Sequence, residues 1–219
     1  MSKRWENVIN PNDVVEEHGA DTARMYQLFM GPLEETKPWS EGGVKGVRRF
    51  LEKVWKLQEL LQEEDALKVE PEIHKLIKYV GEDTAELRFN TAVAKMMEFV
   101  NAVQKVGAIG KSQLERFMIV LAPYAPHLAE EIWQALGHTE SVTLQSWPQY
   151  DEKLTVEQRS ELVVQVNGKL RAKISVDSEV SEEEAKQLAL AEENVQKWLA
   201  GKEIKKTIFV PGKLISFVV

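Results

Sequence analysis

MSKRWENVINPNDVVEEHGADTARMYQLFMGPLEETKPWS, residues 1–40, decides how the rest of the chain is read. It joins a polar loop bearing Lys3 and Arg4, a strand-like Val8-Ile9, and two helix-forming segments that stop at Gly31-Pro32. Asn10-Pro11 fits a side-chain cap followed by proline in the first turn, where a missing N–H costs nothing. Asp13, Glu16 and Glu17 then fall in that short helix, and Gly19 suits its end. A second helix from Asp21 turns Met25, Leu28 and Phe29 toward a core. Met1 to Asn7 has no apolar period, and on spacing alone such a basic loop is a solvated surface.

Working outward, the apolar period continues. After Gly42-Gly43, the positions Val44, Val47, Leu51, Val54 and Leu61 recur at three- and four-residue spacing, with Phe50, Leu57 and Leu60 widening the stripe. This predicts one helix of about five turns. Its other face carries Lys45, Arg48, Arg49, Lys53 and Lys56, a pattern that fits a solubilising face or a groove for a nucleic-acid backbone. Pro71 opens a helix with Ile73, Leu76, Ile77 and Val80 inward. Asn90 is the expected cap of another, striped by Val93, Met96, Met97, Val100 and Val103; methionines in such a stripe are core filler. Ser112 and Glu115 read as a capping box for a helix carrying Leu114, Phe117, Met118 and Leu121, ended by Pro123. Pro126 starts a further helix that Gly137 closes. His127 lies at that helix start without a nucleophile or metal-ligand partner at useful spacing, and His18, His74 and His138 are likewise isolated.

Beyond His138 the pattern loosens. Val142 to Leu144 reads as a short strand, and Trp147-Pro148 as an anchor of the connection onto the bundle. From Leu162 the period is two: Leu162, Val164 and Val166 alternate with Val163, Gln165 and Asn167, and Asn167-Gly168 is a two-residue hairpin turn. The return strand is expected to place Leu170, Ala172, Ile174 and Val176 on one side, with Lys169, Arg171 and Lys173 on the other, about 7 Å apart. That spacing matches phosphates along a strand of nucleic acid, and a solvated outer face explains it equally. Ser181 and Glu184 form a capping box, a short helix spans Asn194 to Leu199 before Gly201, and a last hairpin turns at Pro211-Gly212. Lys202, Lys205, Lys206 and Lys213 extend the basic candidates.

Composition limits the function classes. The 219 residues are 43% hydrophobic, ample for packed cores in one or two domains, and contain no cysteine, which excludes disulfides and thiolate metal sites. No apolar run approaches the ~20 residues of a membrane span and no signal peptide opens the chain, so a soluble, cytoplasmic protein is expected, with no membrane partner. The net charge of -7 opposes nonspecific binding to polyanions and confines any nucleic-acid contact to local basic patches.

Met1-Ser2-Lys3, Asn7-Val8-Ile9-Asn10-Pro11, Gly19-Ala20-Asp21-Thr22 and Arg24 to Tyr26 resemble the signature lysine loop of class I aminoacyl-tRNA synthetases and the helices after it. Phe29-Met30-Gly31-Pro32-Leu33-Glu34 through Lys37-Pro38-Trp39-Ser40, and later Ala122-Pro123-Tyr124-Ala125-Pro126-His127, are similar to the leucyl family, and the resemblance covers essentially the whole chain. It implies a mainly α fold with a C-terminal α+β module. Residues 1–42 would end a class I catalytic domain, 43–137 form a helical bundle of the class Ia anticodon-binding type, 138–160 a linker, and 161–219 a small hairpin–helices–hairpin tRNA-binding domain.

The resemblance further implies the C-terminal portion of a ligase that activates leucine with ATP and Mg2+ and transfers it to tRNA-Leu. Lys3 would stabilise the charge of the departing pyrophosphate, a task suited to an ammonium on a flexible stem, and Arg4 is a second phosphate ligand. Arg4, Trp5 and Glu6 depart from the family pattern, in which serine, lysine and glycine are common, and Trp5 and Glu6 cannot hold phosphate by charge. Lys45, Arg48, Arg49, Lys169, Arg171 and Lys173 are the tRNA-binding candidates, through backbone and shape, since bacterial leucyl enzymes generally do not read the anticodon. The other class I ATP-binding motif and an inserted editing domain are absent from this sequence. The isolated chain is therefore expected to be inactive, with no cofactor of its own and no metal site, and to work with an N-terminal catalytic portion or a partner subunit. A stand-alone or split-subunit tRNA-binding module, or a protein-interaction scaffold, is the alternative.

Overall fold

Asn10 caps the first helix as its chemistry requires: its side-chain oxygen accepts from the Asn12 N–H at 3.1 Å, and Pro11 opens α1 (Pro11–His18). The computed structural model describes residues 9–155, 159–177, 180–199 and 204–219, and divides into two compact units, 1–155 and 156–219. Lys3, Arg4, Val8, Gly201 and Lys202 lie outside the described residues.

In the first unit α1 turns at Gly19 into α2 (Ala20–Phe29), which buries Met25 and Tyr26. Ser40 caps α3 (Glu41–Trp55), whose buried residues Val44, Val47, Phe50, Leu51 and Val54 are the stripe read from sequence. A glycine is needed at 43: a Cβ there would lie 2.6 Å from Tyr26 Cε2. Tyr26 fills that space edge-on to Trp39, and its hydroxyl accepts from the Ser40 N–H at 2.9 Å. The predicted five-turn helix is shorter than its apolar stripe. It tightens at Lys56–Leu60 into a 3-10 turn, where the Gln58 side chain takes the Trp55 carbonyl while Leu57 stays fully buried. Leu61–Gln62 (β1) then pairs in parallel with Ile109–Gly110 (β2).

The bundle continues through α4 (Glu70–Ala85), α5 (Phe89–Val106), α6 (Lys111–Leu121) and α7 (Pro126–Ala135), with Ile73, Ile77, Met96, Val100, Leu114, Phe117 and Ile132 in the common core. Two helix starts differ from the sequence expectation. α5 begins one residue before Asn90, because Arg88, tied to the Asp83 carboxylate and carbonyl, closes the turn and sets Phe89 against Tyr124. α6 is capped through Gln113, not the Ser112–Glu115 pair. The Gln113 amide is fully buried and accepts from the Gly110 and Ala66 N–H groups, while Glu115 reaches His138 instead. Val142–Leu144 is a 3-10 turn rather than a strand, held by Glu130, which accepts from the Val142 N–H and the Ser141 hydroxyl.

Trp147 anchors the following segment as expected: it packs against the core beside Gly81 and donates its indole N–H to the Ile77 carbonyl at 3.3 Å. The short helix α8 (Glu152–Thr155) is held on α4 by a Lys78–Glu152 ion pair and by Asp151 N–H donation to His74 Nδ1 at 2.8 Å.

The second unit is a four-stranded sheet in the order β4-β3-β6-β5, from β3 (Arg159–Val166), β4 (Lys169–Asp177), β5 (Lys206–Val210) and β6 (Leu214–Val218), with α9 (Glu182–Ala191) and α10 (Glu193–Leu199) between the two hairpins in sequence. β3 pairs antiparallel with β4 and parallel with β6, which joins the hairpins into one sheet. Leu162, Val164, Val166, Ile174, Val176, Ala185, Ala189, Val195, Ile215 and Phe217 form its core. Asn167 and Gly168 both take positive φ, 50° and 73°, as a tight hairpin requires, and Ser181 with Glu184 makes the predicted capping box.

One strand departs from simple alternation. Val164 pairs with Ala172 but Gln165 pairs with Leu170, so Arg171 is an extra residue in a bulge. Beyond the bulge the faces exchange, leaving Leu170 54% exposed opposite Gln165, and Lys169 opposite the core residue Val166. The expected single row of Leu170, Ala172, Ile174 and Val176 is therefore split. The fold class is nevertheless the one read from sequence: mainly helical, with a small α+β module.

Candidate nucleic-acid interface

The basic residues of α3 divide by their contacts. Lys45 and Arg49, one turn apart, are exposed and have no carboxylate partner among the described residues. Arg48 is committed within the protein: its Nε donates to Glu52 at 2.9 Å and its terminal nitrogen to the His18 carbonyl at 3.2 Å, pinning the end of α1 to α3. Lys53 reaches Asn101, and Lys56, just past the helix end, is exposed without a carboxylate partner among the described residues.

In the tail, Lys169 is exposed, Lys173 pairs across the strands with Glu161, and the Arg171 guanidinium stacks over the Trp198 ring with 3.5 Å between its carbon and the ring centroid. The bulge removes Lys169, Arg171 and Lys173 from the single alternating face that the sequence suggested. Lys205, Lys206 and Lys213 are set around the second hairpin.

Two residues of the Gly19–Tyr26 segment do work that sequence reading did not assign. Ala125 precedes α7 and has no polar side chain to cap it, so Asp21, 106 residues before His127, does so. Its carboxylate accepts from Leu128 N–H at 2.7 Å and His127 N–H at 3.4 Å, and lies 2.7 Å from His127 Nδ1. Arg24 donates twice, at 2.8 and 3.0 Å, to the Pro123 carbonyl. Together they clamp α2 to the α6–α7 turn. The uncapped Ala125-Pro126 junction was the one trace of this in the sequence. His127 is accordingly a polar group at a helix start.

A second polar network ties α4 to α6. Glu70 receives two hydrogen bonds from Arg116, at 2.9 and 3.0 Å, one from Gln113 at 2.7 Å, and lies 2.9 Å from His74 Nε2. Burial pushes the Glu70 carboxyl upward, but the Arg116 and Gln113 hydrogen bonds, the Arg116 charge and the His74 contact outweigh it and bring the pKa down to about 2.

Between the N-terminus of α2, the last turns of α3 and the start of α7 lies a cleft of about 790 Å3, with Leu51, Trp55 and Leu128 as apolar wall and His18, Arg48 and Lys56 among its polar groups. Among the described residues no group of acidic or histidine side chains is arranged to hold a metal ion, and no helix is long and apolar enough to cross a membrane.

Residues 68–186 match the family described as the anticodon-binding domain of tRNA ligase, more than half of the chain, and the chain belongs to that family. The match runs from the start of α4 through the bundle into the tail. Among solved structures, the ternary complex of LeuRS from Agrobacterium radiobacter K84 (agnB2) with tRNA and LeuAMS aligns with all of this chain, at 28% identity and a TM-score of 0.77. The chain spans 31% of that protein's length.

Proposed function

We propose that the chain is the C-terminal tRNA-binding part of a leucine–tRNA ligase, in which a larger catalytic portion activates leucine with ATP and Mg2+ and passes it to tRNA-Leu in the cytoplasm. The observation that carries this is the alignment of the whole chain, bundle and tail together, with a LeuRS whose structure contains tRNA. Lys3 and Arg4 then belong to the loop that meets the ATP phosphates. Residues 1–42 end the catalytic domain, 43–137 form the bundle, 138–160 the linker and 161–219 the module that grips the tRNA.

Lys45 and Arg49, exposed one helical turn apart and without a carboxylate partner among the described residues, suit phosphate contacts; Arg48, held by Glu52 and the His18 carbonyl, braces the surface beneath them. Lys169, Arg171 and Lys173 are the corresponding candidates in the hairpin. Replacing Lys45 and Arg49 together by alanine is expected to weaken tRNA-Leu binding and to flatten the dependence of log K on log salt by roughly two units, about one per lost phosphate contact. The Lys169, Arg171, Lys173 triple replacement tests the tail in the same way, and unchanged affinity and slope in both variants would remove the proposed surfaces. The isolated chain does not catalyse the first step on this reading; leucine-dependent ATP–pyrophosphate exchange at a full enzyme's rate would overturn that part.

A further inference from the structure

The cleft beside α2 is not accounted for by phosphate contacts on the outer face of α3, and its lining is specific. Trp55, the last residue of α3, is 46% exposed and forms one wall. Exposing a large part of an indole to water has no packing benefit, whereas an aromatic face beside cationic groups is the arrangement on which unpaired bases stack. Lys56 follows it directly, exposed and without a carboxylate partner among the described residues. His18 lines the same cleft with its side chain only 10% exposed, and its Nε2 is buried without a hydrogen bond. The closest carboxylates to that nitrogen are Glu17 at 3.5 Å and Glu41 at 3.9 Å. The His18 ring thus stands between carboxylates of α1 and α3 as part of the cleft wall.

Charge narrows the ligand. Arg48 is neutralised by Glu52, Asp21 is spent on the α7 cap, and Glu131 adds a carboxylate to the lining. Among the described residues that line the cleft, Lys56 is the cation left without a carboxylate partner, which disfavours a triphosphate and suits one phosphodiester. The volume, about 790 Å3, lies within the usual range for a small-molecule site.

We infer that this cleft is a subsite for one unpaired nucleotide, its base stacked on Trp55 and its phosphate held by Lys56. The inference rests on the reading of the chain as a tRNA binder. The nucleotide is either a base turned out of the bound tRNA or a free mononucleotide, and two arms separate these sources.

In the first arm tRNA-Leu is titrated against the full chain and against Trp55→Ala, Trp55→Phe and Lys56→Gln. The expected result is an affinity loss of about tenfold for Trp55→Ala with an unchanged salt slope, partial recovery in Trp55→Phe, and a slope lowered by roughly one unit in Lys56→Gln. In the second arm 2-aminopurine riboside monophosphate is added, and quenching that disappears in Trp55→Ala marks a free-nucleotide site. A Trp55→Ala effect in either arm supports the subsite. Trp55→Ala chain that melts like the parent and matches it in both arms overturns it. If the parent chain binds no tRNA at all, the tRNA-binding reading fails and the mononucleotide arm alone decides the subsite.

Discussion

Replacing Asp21 by alanine removes a helix cap supplied from 106 residues away, and its cost follows from the contacts. The carboxylate is 12% exposed and accepts the Leu128 N–H at 2.7 Å and the His127 N–H at 3.4 Å. A lost cap costs about 1 kcal/mol, and hydrogen bonds to a charged group about 1.5–3 kcal/mol. Because the two descriptions overlap, about 2–3 kcal/mol is expected for Asp21→Ala and about 1 kcal/mol for Asp21→Asn, which keeps an acceptor. The exposed His127 ring should contribute less than about 0.5 kcal/mol, as surface pairs do. Urea unfolding followed by circular dichroism gives the total, and amide exchange at Leu128 gives the local effect. With a slope of about 2 kcal/mol/M the midpoint should fall by about 1 M or slightly more. A variant within about 0.5 kcal/mol of the parent, with Leu128 equally protected, would refute the clamp.

The remaining predictions concern the other internal devices. Because the Glu70 pKa is held down to about 2 against an ordinary 4.5, its stabilisation is complete above the unfolded value and is lost as pH falls toward the folded one. Glu70→Gln should therefore destabilise by about 2 kcal/mol near neutrality, after allowance for solvent screening, with the gap to the parent closing between about pH 5 and pH 2; a gap independent of pH would show that charge is not the cause. Gly43→Ala gains helix propensity but drives a methyl to 2.6 Å from the buried Tyr26 ring, so a net loss of about 1 kcal/mol is expected in thermal melts. A stabilised variant would show that Tyr26 moves freely.

The sequence disclosed what depends on local pattern. The α3 stripe, the Asn167-Gly168 turn, the Ser181–Glu184 box and the alternation of Leu162, Val164 and Val166 follow from periods and turn chemistry that act within a few residues. What it hid depends on partners far along the chain. Nothing near Asp21 announces that it caps α7. Gln113 displaces the Ser112–Glu115 box because Ala66 and Glu70 meet it from another segment, and β1–β2 pairing sets Gly110 at the helix start. The bulge at Arg171 is a property of how β4 registers on β3, and it breaks a basic row that alternation alone draws as continuous. Of the basic candidates on α3, Lys45 and Arg49 have no carboxylate partner among the described residues and Arg48 is engaged, a difference that composition cannot express.

The proposal on which the rest depends is that this chain binds tRNA. Titrating tRNA-Leu against the intact chain from about 50 to 200 mM salt tests it most directly. Saturable binding whose log affinity falls linearly with log salt is the predicted result. Absence of binding at the lowest salt would contradict the account.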